Sequence, residues 1–213
     1  MPYLLVFVLS IFTLTGCQSA YYSAMEQVGY HKRDIMVDRV EEAKESQQDA
    51  QQEFTSALKA ISALTQFDGG ELESVYNQIN DQYLDSEKAA EEVRERIAAI
   101  EDVSEALFDE WQGELNLYTS RKLRRSSEQK LRETKASYKT MLSAMKRAED
   151  KMTPVLNTLR DNTLYLKHNL NANAIGALQG EFINLEQDIQ YAIKQMNAAI
   201  AESDKFLQKL SQK

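Results

Sequence analysis

The sequence predicts an all-α protein: an elongated antiparallel four-helix bundle with coiled-coil-like packing. Three observations lead there. The 213 residues include only 7 Gly and 2 Pro, well below ordinary usage of about 7% and 5%. Few tight turns can be built from that supply, which excludes a sandwich or barrel with a turn roughly every 8–12 residues. Apolar residues recur at alternating spacings of four and three along four long segments. Strands cannot produce that period, and it favours left-handed knobs-into-holes packing. In places the apolar stripe is wider than two rows, which asks each helix to touch more than one neighbour.

The first element is an address. Tyr3 to Leu14 reads YLLVFVLSIFTL and is almost purely apolar. It is shorter than the roughly 20 residues of a membrane-spanning helix and suits the apolar region of a signal peptide. It runs into Leu14-Thr15-Gly16-Cys17, which resembles the bacterial lipobox. In such signals the Cys is diacylated on sulfur and becomes the new N-terminus. Cys17 is the only Cys in the chain, so it has no internal disulfide partner. Lipidation accounts for both its solitude and its position. Residues 1–16 are therefore expected to be a lipoprotein signal peptide and 17–213 a single elongated helical domain. One departure is that Met1-Pro2-Tyr3 carries no Lys or Arg. Gln18 follows the Cys where an Asp would retain the protein at the inner membrane. That implies an outer-membrane lipoprotein of the bacterial envelope, facing the periplasm. Each acyl CH₂ buried in the membrane contributes about 0.8 kcal/mol of anchoring.

Four helices are predicted, over approximately 20–66, 71–118, 124–170 and 173–211. The first core row runs from Met36 to Leu64, with one polar site at Gln47. The second runs from Leu72 to Trp111, with Ser86 and Ser104. The third runs from Leu131 to Leu166, with Thr134 and Asn162. The fourth runs from Ile175 to Leu210, with Ser203. Apolar residues fill 37 of these 43 sites, against 43% of the chain overall. Leu142, Leu156 and Leu170 add a third row to the third helix, and Ile193, Ile200 and Leu207 add one to the fourth.

Breaks are expected at Phe67-Asp68-Gly69-Gly70, where Gly suits a helix end, and between Gly113 and Ser127, where Ser and Thr are candidate N-caps. A third is expected at Leu170-Asn171-Ala172-Asn173. Pro154 has two readings. With Thr153 as N-cap it would restart a helix; otherwise it kinks a continuous one. The heptad phase is unbroken across it, which favours the kink.

The formal charge of −8 divides unevenly. Glu71 to Glu114 holds 14 acidic and 3 basic residues, whereas Arg121 to Lys151 holds 11 basic and 4 acidic ones. Opposite blocks on consecutive antiparallel helices attract along their flanks; solvated faces without a partner role are the plain alternative. Arg121, Lys122, Arg124 and Arg125 cluster at the second connection. An up-down-up-down bundle returns that connection to the end at which the chain leaves the membrane. There the four residues would face lipid headgroups, where a basic residue gains about 1 kcal/mol. The acidic total, the lack of interleaved aromatics and the export signal argue against nucleic acid.

No H-E-x-x-H, C-x-x-C, G-x-S-x-G or glycine-rich phosphate loop occurs, and the only His residues are His31 and His168. His168 lies near a helix end, where a His usually meets the last carbonyls. Neither an enzymatic activity nor a metal or cofactor is expected.

Three stretches carry a resemblance: Tyr21-Tyr22-Ser23-Ala24-Met25-Glu26-Gln27-Val28-Gly29-Tyr30-His31-Lys32-Arg33-Asp34-Ile35-Met36-Val37-Asp38-Arg39-Val40, then Leu123-Arg124-Arg125-Ser126-Ser127-Glu128, then Leu166-Lys167-His168-Asn169-Leu170-Asn171-Ala172. The chain resembles the DUF2959 family of proteobacterial lipoproteins over essentially the whole length after Cys17. That resemblance implies an envelope lipoprotein and brings no activity or site with it.

The expected function is a non-enzymatic envelope scaffold, anchored through acylated Cys17, that docks a protein partner or a second copy through its helical faces. The alternative is a periplasmic module binding a lipid or peptidoglycan fragment. The polar core sites separate the two: gathered around a void they favour binding, and scattered they favour the scaffold.

Overall fold

The computed structural model of the chain describes residues 16–65, 72–169 and 172–211. Its elements are α1 (Gly16–Gln27), α2 (Lys32–Thr65), α3 (Leu72–Glu114), α4 (Arg121–His168) and α5 (Ala172–Ser211), with a 3₁₀ turn at Leu115–Leu117. The expectations for residues 1–15, for the break at Phe67-Asp68-Gly69-Gly70 and for Leu170-Asn171 lie outside the described residues. The long helices contain 34 to 48 residues, so each is about 50–70 Å in length.

Consecutive long helices are antiparallel, and side-chain contacts trace this directly. Lys32 and Arg96 of α2 and α3 meet Glu110 and Glu42 respectively. Glu101 of α3 meets Lys146 of α4, while Trp111 meets Ser127. Tyr138 of α4 meets Phe206 of α5 edge-on, and the Lys151 ammonium lies over the Tyr191 ring. Lys44 and Gln51 of α2 reach Asp204 and Asn197 of α5. The four long helices thus form a closed ring in chain order.

The apolar rows are the reason for that ring. Every described position on the four rows is buried or half-buried. Phe54, Met141, Met145, Met152 and Phe206 are fully enclosed, and each such side chain stabilises the fold by about 1.5–3 kcal/mol. The third rows behave as a bundle requires: Leu156 and Leu207 are buried, and Leu142, Ile193 and Ile200 are half-buried. A two-stranded coiled coil would leave them in water.

Two local expectations are corrected. The helix expected over 20–66 is interrupted at 28–31, and the cause is Gly29. Its φ of +84° is the left-handed conformation that glycine adopts without a Cβ penalty. Tyr30 N–H donates to the Met25 carbonyl at 2.9 Å, and Gly29 N–H to the Glu26 carbonyl at 2.9 Å; together these form a Schellman motif that closes α1. α2 then opens on His31, whose carbonyl accepts from Asp34 and Ile35. The Asp34 carboxylate returns a bond by accepting from His31 N–H at 3.3 Å, the reciprocal half of a capping box.

The second connection falls within the expected span from Gly113 to Ser127, and one of the candidate N-caps there is used. Ser120 is the N-cap of α4 and accepts from Leu123 N–H at 3.4 Å, so Ser126 and Ser127 lie within the helix. At the other end of α4, Asn169 rather than His168 satisfies the open carbonyls. Its backbone N–H donates to the Leu166 carbonyl and its side-chain amide to that of Tyr165. α4 runs without interruption through Pro154. The ring has no N–H to offer the Asp150 carbonyl, yet Met152, Val155 and Leu159 stay in the core on either side. Burial of the stripe outweighs one missing backbone bond.

Candidate functional site

The end of the bundle at which α2 begins and α5 stops collects the features of interest. α1 does not extend away from this end. Tyr22 donates its hydroxyl proton to the Asp102 carboxylate on α3, and Asp102 lies inward of Glu110, which pairs with Lys32 at the start of α2. A straight extension of α2 would instead carry Tyr22 past the end of α3. α1 is therefore doubled back along α2 and α3. Its Gly16 end is thus about 15 Å from the hinge at ten residues' rise, on the side away from the bundle end. The straight run from Cys17 into the first long helix, on which the expected placement of the second connection rested, is not what the chain does.

Two contacts hold α1 down. Tyr22 is buried at 6% exposure and Met25 packs against the core. Burial and the Asp102 carboxylate keep the Tyr22 phenol well above the usual tyrosine range. Lys32 Nζ bonds both Glu26 and Glu110 and lies 6.0 Å from the centre of the Tyr22 ring. Burial pushes the Lys32 ammonium down, but its two carboxylate partners outweigh that and raise it above the ordinary lysine value. The Lys32 bond in turn draws Glu26 below its ordinary value.

α3 and α4 project beyond their neighbours at the same end. A cleft lined by Arg33, Trp111, Lys130, Glu133, Thr134, Lys209 and Leu210 brings the four long helices to one level. α4 begins nine residues before Lys130, so the α3–α4 hairpin overhangs by about 13 Å. Leu115 is buried inside this tip, and Trp111 donates its indole N–H to Ser127 Oγ at 2.8 Å across its base. Leu117, at 80% exposure, Tyr118 and Leu123, at 58%, stand in water.

Arg121, Lys122, Arg124 and Arg125 are all exposed on the tip. Arg124 donates to Asn116 Oδ1 at 3.4 Å, and Arg125 Nε to the Arg121 carbonyl at 3.3 Å. Among the described residues none of the four forms an ion pair. The opposed charge blocks meet between Glu101 and Lys146, at 2.5 Å. The other ion pair between these helices, Arg94 with Glu149 at 3.6 Å, has base and acid exchanged. The basic end of α4 is thus a solvated face.

Two of the polar core sites line separate clefts. Thr134 lines the cleft just described, whereas Asn162 lines another with Thr158, Asp161, Tyr165, Leu178 and Glu181. Twenty-eight residues of α4 separate them, about 42 Å. Ser104 and Ser203 donate to the carbonyls of Glu101 and Ala199 in their own helices. Gln47 is fully enclosed, with neither end of its amide partnered, and Ser86 Oγ and Asn162 Nδ2 are likewise without partners. The cysteine Cys17 heads α1, and His31 and His168 are exposed on separate ends of the bundle. Among the described residues no group of three or more His, Cys, Asp and Glu is arranged to hold a metal ion.

Sequence reasoning missed Tyr22, Gly29, Lys32 and Asp102. A signal was present in Gly29 followed by His31-Lys32-Arg33-Asp34, a helix end and a capping box in immediate succession.

No curated protein matches the chain. A family model described as "Protein of unknown function (DUF2959)" matches residues 21–210, a span from within α1 to the last turn of α5. The match takes in both the doubled-back hairpin and the overhanging tip, and the chain belongs to the DUF2959 family.

Proposed function

We propose that the protein is a non-enzymatic envelope lipoprotein, anchored at the outer membrane through acylated Cys17, whose periplasm-facing bundle is a rigid scaffold for partner docking. The observation that carries this reading is the apolar run ending in Leu14-Thr15-Gly16-Cys17, with Cys17 in the first turn of α1. A closed ring of helices about 50–70 Å long, with fully enclosed core side chains from Met36 to Phe206, has the stiffness a spacer needs. Thr134 and Asn162 line separate clefts about 42 Å apart, which supports a scaffold over a binding module that draws both into one ligand cavity. Ile183 and Tyr191 are exposed on α5 and offer apolar area to a partner.

The test is metabolic labelling with a clickable fatty acid in a bacterial host, followed by membrane fractionation. The wild-type chain is expected to take up the label and to sediment with the outer membrane, and Cys17→Ser to lose both properties. A wild-type chain without label would overturn the anchoring. Cross-linking in the periplasm then tests the scaffold, and recovery of no specific partner or second copy would count against it.

A further inference from the structure

We infer that the overhanging α3–α4 tip is a membrane-insertion element for an anionic bilayer surface; this rests on the reading that the chain works at an envelope membrane. Leu117, at 80% exposure, is the most exposed large apolar side chain among the described residues, and Leu123 stands beside it in the same tip at 58%. Among the described residues they stand on the tip that projects past the bundle end, and the described part of α1, doubled back, does not cover it. Tyr118 lies between them in sequence and is also exposed, with the half-apolar, half-polar character that settles at headgroup level.

Around these residues sit Arg121, Lys122, Arg124 and Arg125, none ion-paired among the described residues. Glu128 is already paired with Arg132 at 3.1 Å, which leaves Glu114 as the tip's one other carboxylate. A chain with a formal charge of −8 thus presents its exposed leucines in a cationic collar. The collar complements lipid phosphates, and the leucines complement the acyl boundary beneath them. The tip is convex. A deformable planar bilayer accepts a convex apolar point, whereas an acidic protein partner would need a matching hollow. Burial of one leucine side chain strengthens partition by about tenfold or more, and each base near an anionic surface adds roughly fivefold.

The test uses the full chain with Cys17→Ser and a single introduced cysteine, Leu117→Cys or, as control, Lys88→Cys on the exposed side of α3. Each carries an environment-sensitive fluorophore. Vesicles are equimolar phosphatidylglycerol and phosphatidylethanolamine, or phosphatidylcholine alone, with a quencher in the acyl region. The label at 117 is expected to be quenched on the anionic vesicles and not on phosphatidylcholine, and the label at 88 on neither. Replacing Arg124 and Arg125 by Gln is expected to weaken the tip's partition by about 25-fold together. Quenching at 117 no greater than at 88, or equal on both lipids, overturns the proposal, and the first of these results points to a protein surface instead. Because Cys17 is absent, failure here is distinct from failure of acylation.

Discussion

Replacing glycine by alanine at two positions should have opposite signs, and the backbone decides which. At Gly29, φ is +84° and nothing lies within 4 Å of where a Cβ would stand, so Gly29→Ala meets no clash. Its cost is the left-handed conformation itself, about 1–2 kcal/mol for a residue with a Cβ. Ala also loses less backbone entropy on folding, which returns about 0.4–1 kcal/mol. The net cost is about 1 kcal/mol, roughly a fivefold shift toward undocked α1. At Gly180 the backbone is helical within α5, and a Cβ again meets nothing within 4 Å. There Gly180→Ala removes a helix penalty and should stabilise by about 0.5–1 kcal/mol. In a chain of this size that raises the melting temperature by about 1–4 °C. The assays differ because the effects differ in reach. Amide hydrogen exchange should show residues 22–30 exchanging about fivefold faster in Gly29→Ala, with global melting nearly unchanged. Circular dichroism melting should show the gain for Gly180→Ala. Wild-type protection of α1 in Gly29→Ala would refute the Schellman hinge as the feature that folds α1 back.

Gln47→Leu should raise stability by about 1–3 kcal/mol, because it removes a buried amide that lacks partners; a lower urea midpoint would show that the amide is satisfied in solution. Phe206→Ala should cost about 3–5 kcal/mol in the same measurement, since the ring is fully enclosed and meets Tyr138 edge-on at 6.4 Å. Glu26 is held below its ordinary carboxylate value by Lys32, so its contribution is present above its unfolded pKa and is lost as pH falls through the lowered folded value. Exchange protection of α1 should therefore drop in acid below the usual carboxylate range, and Glu26→Gln should show weaker protection at neutral pH with a flatter acid response. An identical acid profile in the variant would exclude Glu26 as the group responsible.

Much of the architecture was legible because its cause is local. A spacing of four and three puts Val40, Phe54 and Ile61 on one face of a helix whatever that helix packs against, and all are buried. The extra rows through Leu156 and Leu207 likewise signalled more than one neighbour. The candidate site was less legible. The cluster from Arg121 to Arg125 could be read as a group, but not the leucines it surrounds, since Leu117 and Leu123 look in sequence like two more core residues. Only the overhang of α3 and α4 past Arg33 and Leu210 leaves them exposed.

The sequence by itself determined that the chain is helical, which faces are apolar, and that the apolar run stops at a single cysteine. These follow from side-chain period and composition, properties of neighbouring residues. Tertiary structure decided that α1 turns back and that the α3–α4 tip stands clear. The first depends on the sign of one φ angle at Gly29 and on a pairing of Tyr22 with Asp102 across 80 positions. The second depends on where four helices of unequal length align as their apolar rows pack, a register visible in contacts such as Glu42–Arg96 and Lys44–Asp204 between segments far apart in the chain.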